Sequence, residues 1–405
     1  MRNINLAIIG LGQRGSTNLK LILNLPAVTV VAVSDFCEDR CKEAADLVEE
    51  KTGVRPAETQ NYHEILKRDD VEVVIVCTSW KTHVQVTVDA MKAGKAVGME
   101  VGGAYSLEEC NALVEAYEET KTPFMFLENC CYGKNEMLVS NMVADGVFGE
   151  VVHCHGAYGH DSREEICTGK EKRHYRLHEY INRNCENYTT HELGPIARIL
   201  KINKGNRMVR LVSVSSKAAG LEQYINDRKD TIENKALIGQ KFRQGDIVNT
   251  IITCANGETI SLKLDTTLPR SYSREFTVQG TKGMFGENTN SVFLDGDKED
   301  FDTRKFYKEH FDTAVAFEDK YLHEYWKNIT EEEINAGHGG MDYFLFCDFF
   351  QKLREGREMP IDVYDAAAWM CITCLSEQSI AAGGIPVDIP DFTNGAWKEK
   401  YIHDT

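Results

Sequence analysis

The stretch NYTTHELGP, residues 187–195, sets a phenol at Tyr188 and an imidazole at His191 three positions apart, just ahead of Gly194 and Pro195. Residues three and four apart on a helix are neighbours, so a helix opening here brings both side chains to one face. An imidazole titrates near neutrality and can take or return a proton. A phenol can share that work when a nearby cation favours its ionised form. The same pair would equally serve as a helix-start histidine bonded to backbone and a half-buried packing tyrosine. What the rest of the chain offers decides between the two.

A second chemical signature lies at the start. GLGQRG places Gly10, Gly12 and Gly15 directly after the apolar run INLAIIG and at the opening of a helix-period segment. The first glycine permits a tight turn, the second lets a pyrophosphate approach the backbone, and the third allows close helix–strand packing. The helix N-terminus adds free N–H groups and the positive end of its dipole. Asp35 follows Gly15 by 20 residues and ends the run VTVVAVSD. A carboxylate there bonds ribose hydroxyls and repels a 2′-phosphate, which favours NAD over NADP as cofactor. Other strand-end positions face the same kind of crevice. SWKTH (79–83) offers Trp80 and His83, Glu100 and Val101 end the next run, and Asn129 ends PFMFLEN.

The elements that must carry these residues fall into two textures. Five apolar runs, at 4–10, 28–35, 71–78, 95–100 and 123–129, alternate with charged segments of helical period. They read as buried parallel strands of a doubly wound Rossmann sheet over residues 1–130. From about 149 the runs alternate polar and apolar residues, as in DIVNTIITCANGETISLKLDTTL, with NGE as a hairpin turn. Residues 131–405 are therefore expected to form a substrate-binding α/β domain with a large, mostly antiparallel sheet. A charged, aromatic-rich insertion around 286–338 reads as a lid, a partner surface or a solvated helical excursion.

Composition narrows the partners. A chain of 405 residues exceeds one comfortable core, and a net charge of −17 disfavours nucleic acid and anionic membrane. No apolar run approaches the ~20 residues of a membrane span. Thirteen cysteines without an evident leader read as reduced thiols of a cytoplasmic protein. CITC (371–374) sits in an apolar helical run and reads as buried structural thiols. In HCHGAYGH (153–160), strand alternation accounts for His153 and His155 on one face. No metal is expected, and the ligand class that suits this balance is a small molecule.

A dinucleotide fold followed by an α/β sheet domain resembles the Gfo/Idh/MocA oxidoreductase superfamily. Many of its dehydrogenases end with Glu-Lys-Pro the strand that corresponds to the run at 95–100. Here Glu100 is kept, but Val101 and Gly102 replace the lysine and proline. An aspartate four residues before the histidine is likewise replaced by Asn187. Both departures fall on proton-handling positions. WKTH, MEV, ENCCY, NYTTHELGP, LPRSYSREFTVQGTKG and GHGGMDY, in order along the chain, are more similar to the NAD-dependent glycosidases that include the bacterial α-N-acetylgalactosaminidases. That resemblance implies an NAD site of Gly10, Gly12, Gln13, Arg14, Gly15, Asp35, Trp80, Lys81, Thr82, His83, Glu100, Val101, Asn129, Tyr188, Thr189, Thr190 and His191. It implies a sugar site of Tyr158, Arg176, Tyr188 and Tyr272, with His191, Tyr188 and Tyr272 catalytic. The implied activity is hydrolysis of N-acetylgalactosaminides, α-linked ones above all, with tightly bound, recycled NAD. Ordinary glycosidases flank the bond with two carboxylates, and the sequence marks out no such pair. The competing readings are a sugar or cyclitol dehydrogenase and a non-catalytic NAD-binding regulator. By analogy with the superfamily, a homo-oligomer is expected.

Overall fold

A computed structural model describes residues 2–170, 172–297 and 310–399. The chain divides into two compact units, Met1–Asn129 with Ile329–Cys371, and Cys130–Asn328 with Ile372–Thr405. The first unit therefore takes in a late segment that a single linear cut after residue 130 assigns elsewhere.

The first unit is built on six parallel strands, β1 (Ile4–Ile9), β2 (Val28–Ser34), β3 (Ala57–Thr59), β4 (Val73–Val76), β5 (Ala96–Met99) and β6 (Phe124–Phe126). Their spatial order is β3-β2-β1-β4-β5-β6. All residues of β4, β5 and β6 are buried, as expected for strands covered on both faces. The short edge strand β3, with sequence AET, has no apolar run to announce it and adds a sixth strand to the five read from sequence. The order reverses between β1 and β4, which opens a crevice at the carboxyl ends of the strands.

The late segment closes this unit. The Phe126 N–H donates to the Ile361 carbonyl, and the Ala104 N–H donates to that of Met370. Trp369 is fully buried and packs at 6.1 Å between ring centroids from Phe126. It lies on the long helix Val363–Ala381, whose apolar residues cover all sides of its axis. The CITC thiols fall on that helix, Cys371 buried and Cys374 half-buried.

The second unit carries eight strands, β7 (Val151–Gly159), β8 (Met208–Ser215), β9 (Ile247–Cys254), β10 (Thr259–Asp265), β11 (Thr277–Gly280), β12 (Gly283–Gly286), β13 (Ser291–Leu294) and β14 (Val387–Asp388). The order is β13-β12-β11-β7-β10-β9-β8-β14. Among the described residues of this sheet, only the β7–β10 pairing is parallel. Along β9 every second residue is buried, so the sheet keeps one covered face and one open face. The NGE segment joins β9 to β10, and Gly257 supplies the positive φ of 103°. His153 and His155 lie on the same face of β7 and bond across to Thr259 and Ser261, both at 2.8 Å. His155 also pairs with Glu275.

Of the charged stretch expected around 286–338, residues 298–309 lie outside the described ones. Its start supplies β13, paired with β12, and its remainder forms the short helices Glu318–Tyr321, Glu324–Lys327 and Glu331–Asn335.

Trp369→Ala removes the largest fully buried side chain of the first unit. The expected loss is about 3–5 kcal/mol, measured by urea unfolding followed through the far-ultraviolet signal. A loss below about 1 kcal/mol contradicts the packing described.

Candidate functional site

In the first unit the glycine-rich loop is shaped by close approach. Gly10 has a φ of +94°, and a Cβ there would meet the Cys77 carbonyl carbon at 2.5 Å. A Cβ on Gly15 would overlap the carbonyl oxygen of Gly10. Helix Gln13–Ile22 starts at once behind Gly12, and the first amides of a helix have no intrahelical partner. Asp35 stands just past the end of β2. Its carboxylate accepts from the Leu11 N–H at 2.7 Å and from the Cys37 N–H at 2.8 Å. Those two bonds fix its orientation beside the loop and leave each oxygen a further lone pair. The Arg40 guanidinium lies 3.9 Å away.

These residues fit a dinucleotide. The backbone cradle admits no side chain, a helix N-terminus faces it, and an oriented carboxylate sits where ribose hydroxyls belong. Thr78, past the end of β4 and beside Gly10, adds a buried hydroxyl that has no partner among the described residues. Sequence reasoning passed over Thr78, although its place after a buried strand run was the available signal.

The remaining positions expected to hold a cofactor spread along the strand ends. Lys81 and Thr82 are exposed, while Trp80 and His83 turn inward and are buried. Burial pushes the His83 imidazole down to about 3, so it is neutral. Both rings press on Gly102, where a Cβ would overlap Trp80 and stand 2.5 Å from the His83 Cε1. The glycine in place of proline is thereby explained. Glu100 and Val101 are buried past the end of β5, and Asn129 past β6. Gln13 and Arg14 open the first helix. The Arg14 Nε donates to Glu100 at 2.7 Å.

The second unit gathers an aromatic and cationic cluster. Tyr158 comes from the end of β7, and Tyr188 and His191 from the opening of helix Thr190–Ile199. The Tyr158 and Tyr188 rings lie 4.3 Å apart, and His191 stands edge-on to both, at 5.6 and 4.8 Å. Arg176, at the start of helix Arg176–Asn182, is buried with its guanidinium 4.9 Å from the Tyr188 ring centroid. Its counter-charge is Glu165, 3.4 Å away. Burial pushes the Tyr158 phenol up, and the Arg176 charge pulls it back down.

His160, two residues beyond Tyr158, completes the group. Its Nδ1 is 3.1 Å from the Tyr158 hydroxyl, and its ring meets Tyr272 edge-on at 5.4 Å. Burial, then the Arg176 charge, lowers its pKa and favours the neutral imidazole. Sequence reasoning left His160 out of the site, although the spacing in AYGH puts it on the face of Tyr158. Tyr272 is 52% exposed. Thus Tyr158, Arg176, Tyr188, His191 and Tyr272 come together, around His160. Thr189 and Thr190 are buried instead, and the Thr189 hydroxyl donates to the Glu186 carbonyl. Pro195 lies inside the helix and has no N–H to give the His191 carbonyl.

Glu186, two residues before Tyr188, is fully buried, and no side chain among the described residues bonds its carboxyl oxygens. Burial pushes this carboxyl up to about 8. An unfolded glutamate ionises near 4.5, so the folded state prefers the neutral acid. The stability it contributes is complete below the unfolded value and is lost as pH rises through 8. Glu186→Gln keeps the shape and removes the titration. Its melting temperature is expected to decline less between pH 6 and 9 than that of the unsubstituted protein. At pH 8 it should lie a few degrees higher, at ~2–4 °C per kcal/mol. Parallel decline in both proteins rules this out.

Comparison with known proteins adds a lineage to the geometry. Residues 132–399 match the domain family described as glycosyl hydrolase 109, C-terminal domain. Residues 4–127 match the oxidoreductase family with an NAD-binding Rossmann fold. A glycosyl hydrolase family 109 protein of Stenotrophomonas maltophilia is 36% identical, over 98% of this chain and 91% of its own length. An α-N-acetylgalactosaminidase of Tannerella forsythia is 35% identical, over 97% and 87%. Among solved structures, levoglucosan dehydrogenase in complex with NADH and levoglucosan superposes with a TM-score of 0.69 at 19% identity. That match covers 96% of this chain and 100% of the other. Myo-inositol 2-dehydrogenase of Lactobacillus plantarum superposes with a TM-score of 0.65 at 16% identity, covering 96% and 100%. At those identities the two dehydrogenases share the fold and nothing further is taken from them.

Proposed function

The chain belongs to the glycosyl hydrolase 109 family, and from that premise we propose that it releases N-acetylgalactosamine from α-linked glycosides, using NAD that stays bound and is regenerated in each cycle. The observation that carries this reading is the Tyr158–Tyr188–His191–Arg176 cluster, packed at ring separations of 4.3–5.6 Å and supplied with one buried cation. Cleavage at the anomeric carbon by the ordinary route uses two flanking carboxylates. The cluster instead offers phenols, imidazoles and a guanidinium, a set suited to moving protons on a sugar ring.

When bound, NAD supplies transient oxidation at sugar C3, which acidifies the proton on C2 and is reversed before the product leaves. The chain's own part is proton management. Tyr188 or Tyr272 takes the C2 proton, the C1 substituent departs with a proton, and water then adds its hydroxyl at C1 and a proton at C2. The sum is hydrolysis with no net redox change. His191, edge-on to two phenols, shuttles the proton of the C3 hydroxyl. The Arg176 charge stabilises negative charge as it develops on a phenol oxygen and offers donors to the sugar. His160 holds the Tyr158 hydroxyl in one orientation. In the cradle, Asp35 holds the ribose and the first helix turn the pyrophosphate.

Two measurements test this. Incubation with the α- and β-p-nitrophenyl N-acetylgalactosaminides, followed together for nitrophenol and for the reduced nicotinamide absorbance, should show nitrophenol release from the α anomer without accumulation of reduced cofactor. Steady growth of reduced cofactor from free sugars, with no nitrophenol, would instead identify a dehydrogenase. His191→Ala should lower turnover at least 100-fold, as loss of a general acid–base group does, while bound NAD remains at the unsubstituted level. Undiminished turnover in that variant removes His191 from the mechanism and the proposed chemistry with it.

A further inference from the structure

The stretch GHGGMDY, residues 337–343, has no part in that reaction, yet it carries a buried carboxylate, Asp342, with several partners in the first unit. Asp342 lies in the first turn of helix Met341–Glu355 and is fully buried. Its two oxygens accept from the Arg14 Nη1 at 2.6 Å and Nη2 at 2.9 Å, and from the Asn129 Nδ2 at 2.7 Å. The His338 Nδ1 stands 2.7 Å from the same carboxylate and 3.2 Å from the Arg14 Nη1. On its other edge Arg14 donates through Nε to Glu100, which Asn18 also holds at 2.8 Å. One guanidinium thus spans two carboxylates in fork geometry. Asp342 is held below the usual carboxylate range by the Arg14 bonds against the opposing effect of burial.

The places joined by this network matter more than their number. Arg14 rides on the helix that follows the glycine loop, Glu100 follows the end of β5, and Asn129 follows the end of β6. These are carboxyl-end positions of the parallel sheet, the rim of the crevice in which such a fold holds a dinucleotide. A lysine or arginine at a helix N-terminus is disfavoured by the dipole, and this one is stabilised by its two carboxylate partners. With three of its five donors engaged by the two carboxylates, Arg14 braces the rim more than it reaches for phosphate. His338 is the solvent-facing end of the brace, its side chain half exposed, in a segment where Gly337 to Gly340 all have positive φ.

We propose that Asp342, through Arg14 and His338, is a positioning residue that clasps the cradle rim and retains the dinucleotide between turnovers. The proposal rests on the reading that NAD is recycled in place, a cycle that needs slow release of cofactor and rapid exchange of sugar. The clasp ties the late segment Ile329–Cys371 to the loop that cradles the pyrophosphate. Loss of one partner leaves a buried charge uncompensated, so the rim loosens as a unit.

The test is the rate at which NAD leaves. Protein loaded with NAD is diluted into cofactor-free buffer, desalted at intervals, and assayed for NAD still bound. Asp342→Asn, which keeps the shape and removes the charge, is expected to lose NAD at least tenfold faster than the unsubstituted protein. Added millimolar NAD should restore its turnover, so the loss appears in the apparent KM for NAD and leaves kcat nearly unchanged. His338→Ala, which alters only the solvent-facing end, should release NAD severalfold faster with an unchanged melting temperature in the absence of cofactor. Retention at the unsubstituted rate in Asp342→Asn overturns the proposal. Should that variant fail to fold, retention at the unsubstituted rate in His338→Ala overturns it instead. Rapid exchange of NAD in the unsubstituted protein overturns it as well. Slow NAD release by a protein that cleaves no N-acetylgalactosaminide would leave the clasp standing and remove the glycosidase reading.

Discussion

The crevice at the carboxyl ends of β1 to β6 exists because the strand order reverses between β1 and β4, and the loops that follow those strands border it. A parallel sheet covered on both faces has no freedom along its strands, so the loops at their ends inherit a rigid frame. Gly10 and Gly15 let the first helix start immediately behind β1, and neither tolerates a Cβ. Gly102 does the same service against Trp80 and His83. The polar groups at the rim are then fixed by charge, with Arg14 held between Glu100 and Asp342.

The second unit solves a different problem. A mostly antiparallel sheet covered on one face presents side chains from strand ends and from the helices behind it. Tyr158, Tyr188, His191 and Arg176 meet there with ring contacts that fix geometry, while Arg176 and its partner Glu165 bring charge into a largely buried setting. Chemistry by proton transfer benefits from such groups, because their charge is worth more where water is excluded. The buried carboxyl of Glu186, two residues before Tyr188, costs stability at alkaline pH.

Legibility varied with the range of the interactions involved. Strands β1, β2, β4, β5 and β6 were visible as apolar runs because burial on both faces writes itself into consecutive residues. The edge strand β3 was not, since a three-residue, half-exposed strand leaves no run. His160 was within reach of the strand spacing in AYGH, but its place in the cluster comes from its ring contact with Tyr272, 112 positions along the chain. Tyr188 and His191 were readable as neighbours from a spacing of three, yet the stacking on Tyr158 and the cation over Tyr188 join residues 12 to 30 positions apart in the chain.

By itself the sequence determined the local geometry: the glycine loop and its helix, Asp35 at the tip of β2, the hairpin at NGE and the family resemblance carried by ordered short motifs. Those features depend on backbone sterics and on periodicity within a dozen residues, which any reader of the chain can recover. Tertiary structure alone decided that Asp342 belongs with Arg14, 328 positions earlier, and that Ile329–Cys371 joins the first unit. Nothing in the spacing of GHGGMDY names its partner, because an ion pair is chosen by where folding brings the charges. A buried carboxylate is tolerated only where a guanidinium meets it, and that meeting is a property of the packed chain.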